Sequence, residues 1–330
     1  MRGKQLFLKG IYLSIVVCWC VAFSVPGFSA PQQGFSQWVQ GVKKDAVRQG
    51  VRQATVDAAF AHVQHLPKVI ELDRKQPETT ITFKQYLNNV VTASRIEQGK
   101  KLYRENQVLL EKIGKQYGVQ PRFIVALWGI ESNYGQNTGG FSIINALATL
   151  AYDGRRSAFF REELMNALKI LDKGDVTVDS MKGSWAGAMG QTQFMPSSFL
   201  KLAVDYDGDG KRDIWGNKAD AFASIANYLS KVGWDDRYTW GREVQVPSGI
   251  NKKLIDIKHN KDLTGWHNLG VRGKGGKALP KVALSASLIQ PSAENNLYYL
   301  AYPNYKVVLK WNRSLYFATA VGLLSDAIGN

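Results

Sequence analysis

Apolar residues recur at helical spacing over most of this chain. Between 36 and 66, Trp38, Val42, Val47, Val51, Val56, Phe60 and Val63 suggest short helices with polar backs. Pro67 and the stretch 73–80, with Pro77, interrupt them. A longer helical run is predicted from Phe83 to about Tyr117, lightly broken at Gly99 and Gly114. Gly118 closes that run and Pro121 opens the next helix: glycine accepts a left-handed cap, and a first helical turn does not need the N–H that proline lacks. Helical periodicity continues through 145–151, 158–171 and 219–231, and a last helix is expected over 315–328.

After Trp234 the pattern changes. Segments 244–246, 255–257, 282–284, 297–302 and 305–310 read as short strands separated by Gly, Pro and Asn, with a basic glycine-rich loop at 270–277. No repeat period is visible. The expected fold class is mainly α (α+β). A helical N-terminal domain, 31–115, is joined by the C-terminal segment 311–330; a helical core follows at 116–235, then a small antiparallel β-rich insertion at 236–310.

Residues 1–30 differ from the rest. Arg2, Lys4 and Lys9 precede an apolar run from Ile11 to Val25, and Gly27-Phe28-Ser29-Ala30 leads into Pro31. A basic start, a short apolar middle and a small-residue cleavage region are the layout of a secretory signal peptide. The run is shorter than the roughly 20 residues of a membrane span. Both cysteines, Cys18 and Cys20, lie within it, so the exported chain carries none. Val17 and Trp19 before them fit a lipoprotein box poorly.

The chain of 330 residues is long enough for two or three packed units. Its 45% hydrophobic content excludes a disordered chain, and 21% charged residues exclude one embedded in a membrane. The net charge of +15 favours anionic partners: nucleic acid, anionic lipid or an acidic polymer. Export weakens the nucleic-acid reading, because an exported bacterial protein meets cell-wall polymer first.

Two segments carry candidate chemistry. In 121–135, Ile124, Leu127 and Trp128 mark one helix face, and Glu131 continues that apolar stripe. Such a carboxyl either ends the helix in solvent or is a buried acid held protonated, as donation to a glycosidic oxygen requires. In 182–197 small residues dominate, so backbone amides can approach a ligand closely. Ser184 and Gln193 offer side-chain hydrogen bonds there, while Trp185 and Phe194 offer faces for sugar rings. A plain glycine-rich turn before a helix near Pro196 fits the same residues.

Together these segments, Gly129-Ile130-Glu131-Ser132-Asn133-Tyr134-Gly135 and the run 183–197, resemble the lytic murein transglycosylase B family. The stretch 145–152, Arg155-Arg156 and Ala226-Asn227-Tyr228-Leu229 match as well. The resemblance is dense from about Phe83 to Trp234 and weaker beyond. It implies a lysozyme-like core and a single catalytic glutamate, Glu131, that cleaves the bond between N-acetylmuramic acid (MurNAc) and N-acetylglucosamine (GlcNAc) in peptidoglycan without adding water. Glu131 donates its proton to the leaving oxygen and then takes one from the muramoyl C6 hydroxyl, giving a 1,6-anhydromuramoyl end. A conventional glycosidase needs a second carboxylate about 5–10 Å away; Asp153 and Glu162 are the open candidates. The resemblance further places Ser184, Gln193, Phe194 and Tyr228 along the saccharide groove, Asn312 and Tyr86 at the active site, and Arg155 and Arg156 toward stem-peptide carboxylates. Trp311 and Phe317 depart from tyrosines usual in the family.

A further motif, Asp205-Tyr206-Asp207-Gly208-Asp209-Gly210-Lys211-Arg212-Asp213, spaces carboxylates as in the opening of an EF-hand. The closing glutamate is replaced by Gly216. The resemblance supplies a longer loop closed by Asp220, with the Lys211 carbonyl as a ligand, and implies structural calcium and no cofactor for catalysis. A solvated acidic turn is the alternative. The four histidines, His62, His65, His259 and His267, form no zinc motif.

These readings converge on an exported, periplasmic lytic transglycosylase whose partners are glycan strands and other cell-wall enzymes, with no nucleic acid and no stable membrane insertion after signal removal. A hydrolytic muramidase and a non-catalytic wall-binding scaffold are the alternatives.

Overall fold

Local capping chemistry sets most element boundaries. Thr82 opens α4 (Phe83–Val90) with a reciprocal capping box to Gln85, and Thr92 caps α5 (Ala93–Glu105). After α6 (Gln107–Tyr117), Gly118 adopts the left-handed cap at φ 64°, and Pro121 opens α7 (Pro121–Ser132). The computed structural model describes residues 34–75, 81–294 and 296–329. The expected signal segment and both cysteines lie outside them. No helix among the described residues is long and apolar enough to cross a membrane.

The predicted run from 83 to 117 is three helices. The breaks fall near residues 91 and 106, not at Gly99 and Gly114, which lie inside helices because neighbours press on them. A Cβ on Gly99 would stand 2.4 Å from the Tyr134 hydroxyl oxygen, and one on Gly114 would stand 2.7 Å from the Val119 carbonyl oxygen. Pro67 starts α3 (Pro67–Lys75), following α1 (Phe35–Arg48) and α2 (Gln53–Phe60).

Two hydrophobic clusters organise the helices. One joins α4–α7 with α11 (Lys218–Lys231) and α14 (Leu315–Gly329). The other joins α1–α3 with α8 (Ile143–Tyr152), α9 (Ser157–Lys173) and α10 (Pro196–Leu202). The expected boundary at 115/116 therefore does not separate two cores: helices from 35–115 contribute to both. Residues 35–330 form one unit. Trp311 packs against both clusters and so marks the seam between them.

The insertion after Trp234 holds an antiparallel sheet of order β4-β6-β7-β3-β5, built from β3 (Gly241–Gln245), β4 (Lys261–Asp262), β5 (Arg272–Gly273), β6 (Ser285–Ile289) and β7 (Tyr298–Ala301). α12 (Leu263–Asn268) packs Trp266 into its own small core. The first two strands, β1 (Phe141–Ser142) and β2 (Lys182–Gly183), pair separately beside the glycine-rich segment. Three expected strands are not formed. Segment 282–284 is irregular and lies just before β6. Segment 305–310 belongs to α13 (Pro303–Trp311), because Pro303 suits a first turn and Tyr305 and Val308 share one buried helical face. Segment 255–257 contributes a single bridge, Ile255 to Leu288.

The sheet is fastened to the helices through Trp240. Its indole rests on Gly322 of α14, where an added Cβ would lie 2.2 Å from the ring, and its N–H donates to Asp326 Oδ2 at 2.9 Å. α14 in turn packs along α7, so the end of the chain braces the helix that carries Glu131.

Candidate active site

Glu131 stands in the last turn of α7, after Phe123 to Gly129 have been buried in the core. The helix stops because Asn133 and Tyr134 both take left-handed conformations, φ 49° and 59°. Non-glycine residues adopt these reluctantly, so their partners must hold them there. Tyr134 is buried and donates its hydroxyl proton to the Arg95 carbonyl at 2.7 Å. The buried Ser132 hydroxyl donates its one proton to the Gln191 carbonyl at 2.8 Å, with the Trp128 carbonyl 3.1 Å away, and accepts the Gly135 N–H.

The half-buried Glu131 side chain faces a pocket of about 200 Å³ lined also by Tyr86, Val90, Ile130, Asn312, Ser314, Tyr316 and Phe317. Three distant parts of the chain meet there: α4, the end of α7 and the turn between α13 and α14. Glu131 is the only carboxylate among the described residues lining this pocket. Neither Asp153 nor Glu162 reaches it, and Asp153 pairs with Arg74 at 3.2 Å. The Trp311 indole N–H donates to Glu131 Oε1 at 2.7 Å. That ring lies beside Tyr228 (centroids 4.6 Å apart) and Phe194 (5.2 Å). The Tyr228 hydroxyl donates to the Lys310 carbonyl at 2.7 Å, fixing the helix end from which Trp311 projects. Burial raises the Tyr228 phenol above its ordinary value.

Three of the expected groove residues, Ser184, Gln193 and Phe194, occupy the glycine-rich segment, and Tyr228 lies on α11. The Ser184 hydroxyl accepts the Ala188 N–H at 3.0 Å. Gln193, left-handed at φ 50°, donates its side-chain amide to the carbonyls of Gly190 and Thr138. The second bond ties this segment to the loop after Glu131. Gly139 touches the same segment so closely that a Cβ would stand 2.1 Å from the Gly183 carbonyl oxygen. Asn312 accepts the Ser314 N–H on Oδ1, shaping the turn that brings it to the pocket.

Tyr86, Glu131 and Asn312 thus share one pocket, and Phe194 and Tyr228 meet around Trp311. Arg155 and Arg156 do not line the pocket. Their guanidinium groups converge on Asp73, at 2.7 and 2.5 Å, whose side chain is only 2% exposed. Asp73 thus anchors both guanidinium groups while leaving them about half exposed, at 51% and 46%. Its burial favours the neutral acid, but hydrogen bonds and charge from Arg155 and Arg156 outweigh burial and hold Asp73 below its ordinary value.

Sequence reading also missed Gln191. Its Oε1 accepts the Trp128 indole N–H at 2.9 Å, and its Nε2 donates to the Trp215 carbonyl at 2.9 Å. Its backbone N–H donates to the Ile214 carbonyl at 2.8 Å. One residue therefore joins the Glu131 helix to the end of the acidic loop.

In that loop, carboxylate oxygens of Asp205, Asp207 and Asp209 all lie within 4.8 Å of one another. Gly208 and Gly210 supply left-handed turns at φ 79° and 89°. Three convergent oxygens suit a hard cation, whose ligands sit about 2.3–2.6 Å from it. Asp220 stands outside this cluster. Its two oxygens accept the backbone N–H groups of Tyr206 (2.8 Å) and Asp213 (2.7 Å), so it closes the loop from inside. Burial pushes its carboxyl up to about 6; the two amide bonds oppose this and the charges of Asp207 and Asp205 add to it. Asp220 is thus a clasp at the base of the loop that it is expected to close.

Fold and site together define a lysozyme-like lytic transglycosylase. The family described as the transglycosylase SLT domain matches residues 34–326. This chain belongs to that family of lytic murein transglycosylases, and it is an enzyme. Membrane-bound lytic murein transglycosylase B of Escherichia coli (strain K12) is 28% identical over 306 residues, covering 88% of this chain and 81% of that protein. The structure of SltB3 from Pseudomonas aeruginosa in complex with NAG-anhNAM-pentapeptide matches with a TM-score of 0.88 at 43% identity, over 90% of this chain and 80% of that one. Slt35 of Escherichia coli in complex with calcium matches with a TM-score of 0.76 at 26% identity, over 88% of this chain and 92% of that one.

Proposed function

We propose that this lytic transglycosylase cleaves the β-1,4 bond between MurNAc and GlcNAc in peptidoglycan strands, with Glu131 as acid and then base. The observation that carries this reading is the placement of Glu131 as the sole carboxylate of its pocket among the described residues, fixed by Trp311. Glu131 protonates the bridging oxygen as the C1–O bond breaks. It then takes the proton of the C6 hydroxyl as that oxygen bonds to C1. The carboxyl group is regenerated, no water is consumed, and a 1,6-anhydromuramoyl end is left. A hydrolytic route calls for a second group to activate water. The SltB3 complex with an anhydro-sugar pentapeptide supports the same reading.

Ser184, Gln193, Phe194, Tyr228, Asn312 and Tyr86 bind and orient the strand. Tyr228 offers an aromatic face to a sugar ring, with the buried Phe194 packed behind it, and Asn312 and Tyr86 offer polar groups beside the acid. Asp205, Asp207 and Asp209, with the Lys211 carbonyl, hold calcium as a structural ion, in line with the calcium complex of Slt35. The ion takes no part in bond cleavage. Residues 1–30 export the chain to the periplasm, where glycan strands and other cell-wall enzymes are its partners.

Mass spectrometry of digested murein tests the reading. Anhydro ends, each lighter by one water than reducing ends, are expected. Glu131→Gln lowers turnover on the order of 10³-fold while murein binding persists. Reducing ends, or an active Glu131→Gln variant, would overturn it.

A further inference from the structure

Trp311 reaches Glu131 from a sequence distance of 180 residues, and its indole is a donor without acceptor capacity. We propose that Trp311 is a positioning residue that keeps Glu131 Oε1 as an acceptor, so that Oε2 is the oxygen that gives a proton to the sugar and takes one back. The inference deepens the acid–base reading of Glu131 and rests on it.

The geometry supports it in three ways. A neutral carboxyl carries its proton on one oxygen. With an N–H 2.7 Å from Oε1, a proton on that oxygen would be set against the indole hydrogen, so the hydroxyl form belongs on Oε2. The indole itself is held in place: Tyr228 and Phe194 pack against it at 4.6 and 5.2 Å, and the Tyr228 hydroxyl pins Lys310, the residue before it. The bond also gains strength at the useful moment. When Oε2 has released its proton to the bridging oxygen, the Trp311 bond becomes charge-assisted, which favours the state formed during cleavage over the resting acid.

Proton balance then runs through one atom. The Oε2–H bond breaks as the bridging oxygen is protonated, and C1 loses that oxygen. The C6 O–H bond breaks as O6 bonds to C1, and its proton returns to Oε2. Trp311 exchanges no proton.

The groups around Glu131 come from several elements. Tyr86 comes from α4, Tyr316 and Phe317 from α14, and Asn312 and Ser314 from the preceding turn. Arg95 of α5 gives its guanidinium to the Val90 carbonyl at 2.6 Å and to Asn133 Oδ1 at 3.4 Å. Tyr228 of α11 is turned to Lys310, whose own ammonium donates to the Val232 carbonyl. No Lys, Arg, His or Asp is among the described residues lining the pocket.

Two readouts test the inference on the full chain. In the first, pH profiles of murein cleavage are compared for wild type, Trp311→Phe and Glu131→Gln. Removing a donor from a carboxylate favours its protonated form, so Trp311→Phe moves the high-pH limb of kcat upward by about one unit. It also lowers kcat about tenfold with KM changed far less. In the second, ¹H–¹⁵N spectra of ¹⁵N-tryptophan-labelled protein follow the indole signals. The signal missing in Trp311→Phe shifts with pH along the same limb in wild type and stays flat in Glu131→Gln. The other indole signals report whether Trp311→Phe is folded. An inactive Glu131→Gln with an unmoved limb in Trp311→Phe and a pH-independent Trp311 signal would sink the inference and leave the acid–base reading standing. An active Glu131→Gln would sink both.

Discussion

The hydroxyl of Ser132 donates to the backbone carbonyl of Gln191 at 2.8 Å, joining the residue next to Glu131 to the middle of the glycine-rich segment. Through its other three polar groups Gln191 holds Trp128, Ile214 and Trp215. The end of the Glu131 helix is therefore tied both to the glycine-rich segment and to the end of the acidic loop.

Truncating that link exposes its weight. Gln191→Ala leaves the buried Trp128 N–H without its acceptor and frees the Trp215 carbonyl. A loss of about 2 kcal/mol in urea unfolding is expected, together with a fall in kcat. Unchanged stability would show that water or a shifted side chain replaces the glutamine.

Calcium should act on stability rather than chemistry. At 100 times its dissociation constant a bound ion adds about 2.7 kcal/mol, visible as a rise in Tm by calorimetry. Asp207→Ala should remove the rise while the protein, kept below its Tm, still cleaves murein. Equal calcium responses in the two proteins would refute the site.

The Asp73 clasp predicts an acid-side dependence. Because Asp73 titrates below its ordinary 3.8 in the folded chain, its contribution is complete above that value and fades as pH falls through the lower folded one. Asp73→Asn should cost about 1–3 kcal/mol at pH 7 and show a shallower loss of stability between about pH 5 and pH 3. Parallel stability curves for the two proteins would contradict this.

Gly322 tests the brace between sheet and helices. Gly322→Ala places a methyl group where the Trp240 ring lies, with 2.2 Å between them, so ring or helix must move. Destabilisation of about 1–3 kcal/mol is expected, with lowered activity because α14 supports α7. A variant as stable as wild type would mean that the ring yields freely.

What could be read from the sequence was mostly local. Gly118 and Pro121 mark their boundary because capping depends on a few adjacent residues. Glu131 stood out because it interrupts an apolar helical stripe. Segment 305–310 was misread because its β-branched and aromatic residues suit a strand, whereas the decisive Pro303 lies just before it. The pairing of Arg155 and Arg156 with Asp73 was hidden because that partner is 82 and 83 residues away. Gln191 was invisible for the same reason: two adjacent turns and a distant helix give it meaning. Trp311 was legible only as a departure from tyrosine, and its direction toward Glu131 required the packing of Phe194 and Tyr228.

The distance of Trp311 along the chain also sets an order of synthesis. A ribosome adds Glu131 first, and the indole that hydrogen-bonds it 180 residues later. A chain stalled between these two positions carries the carboxyl without that partner.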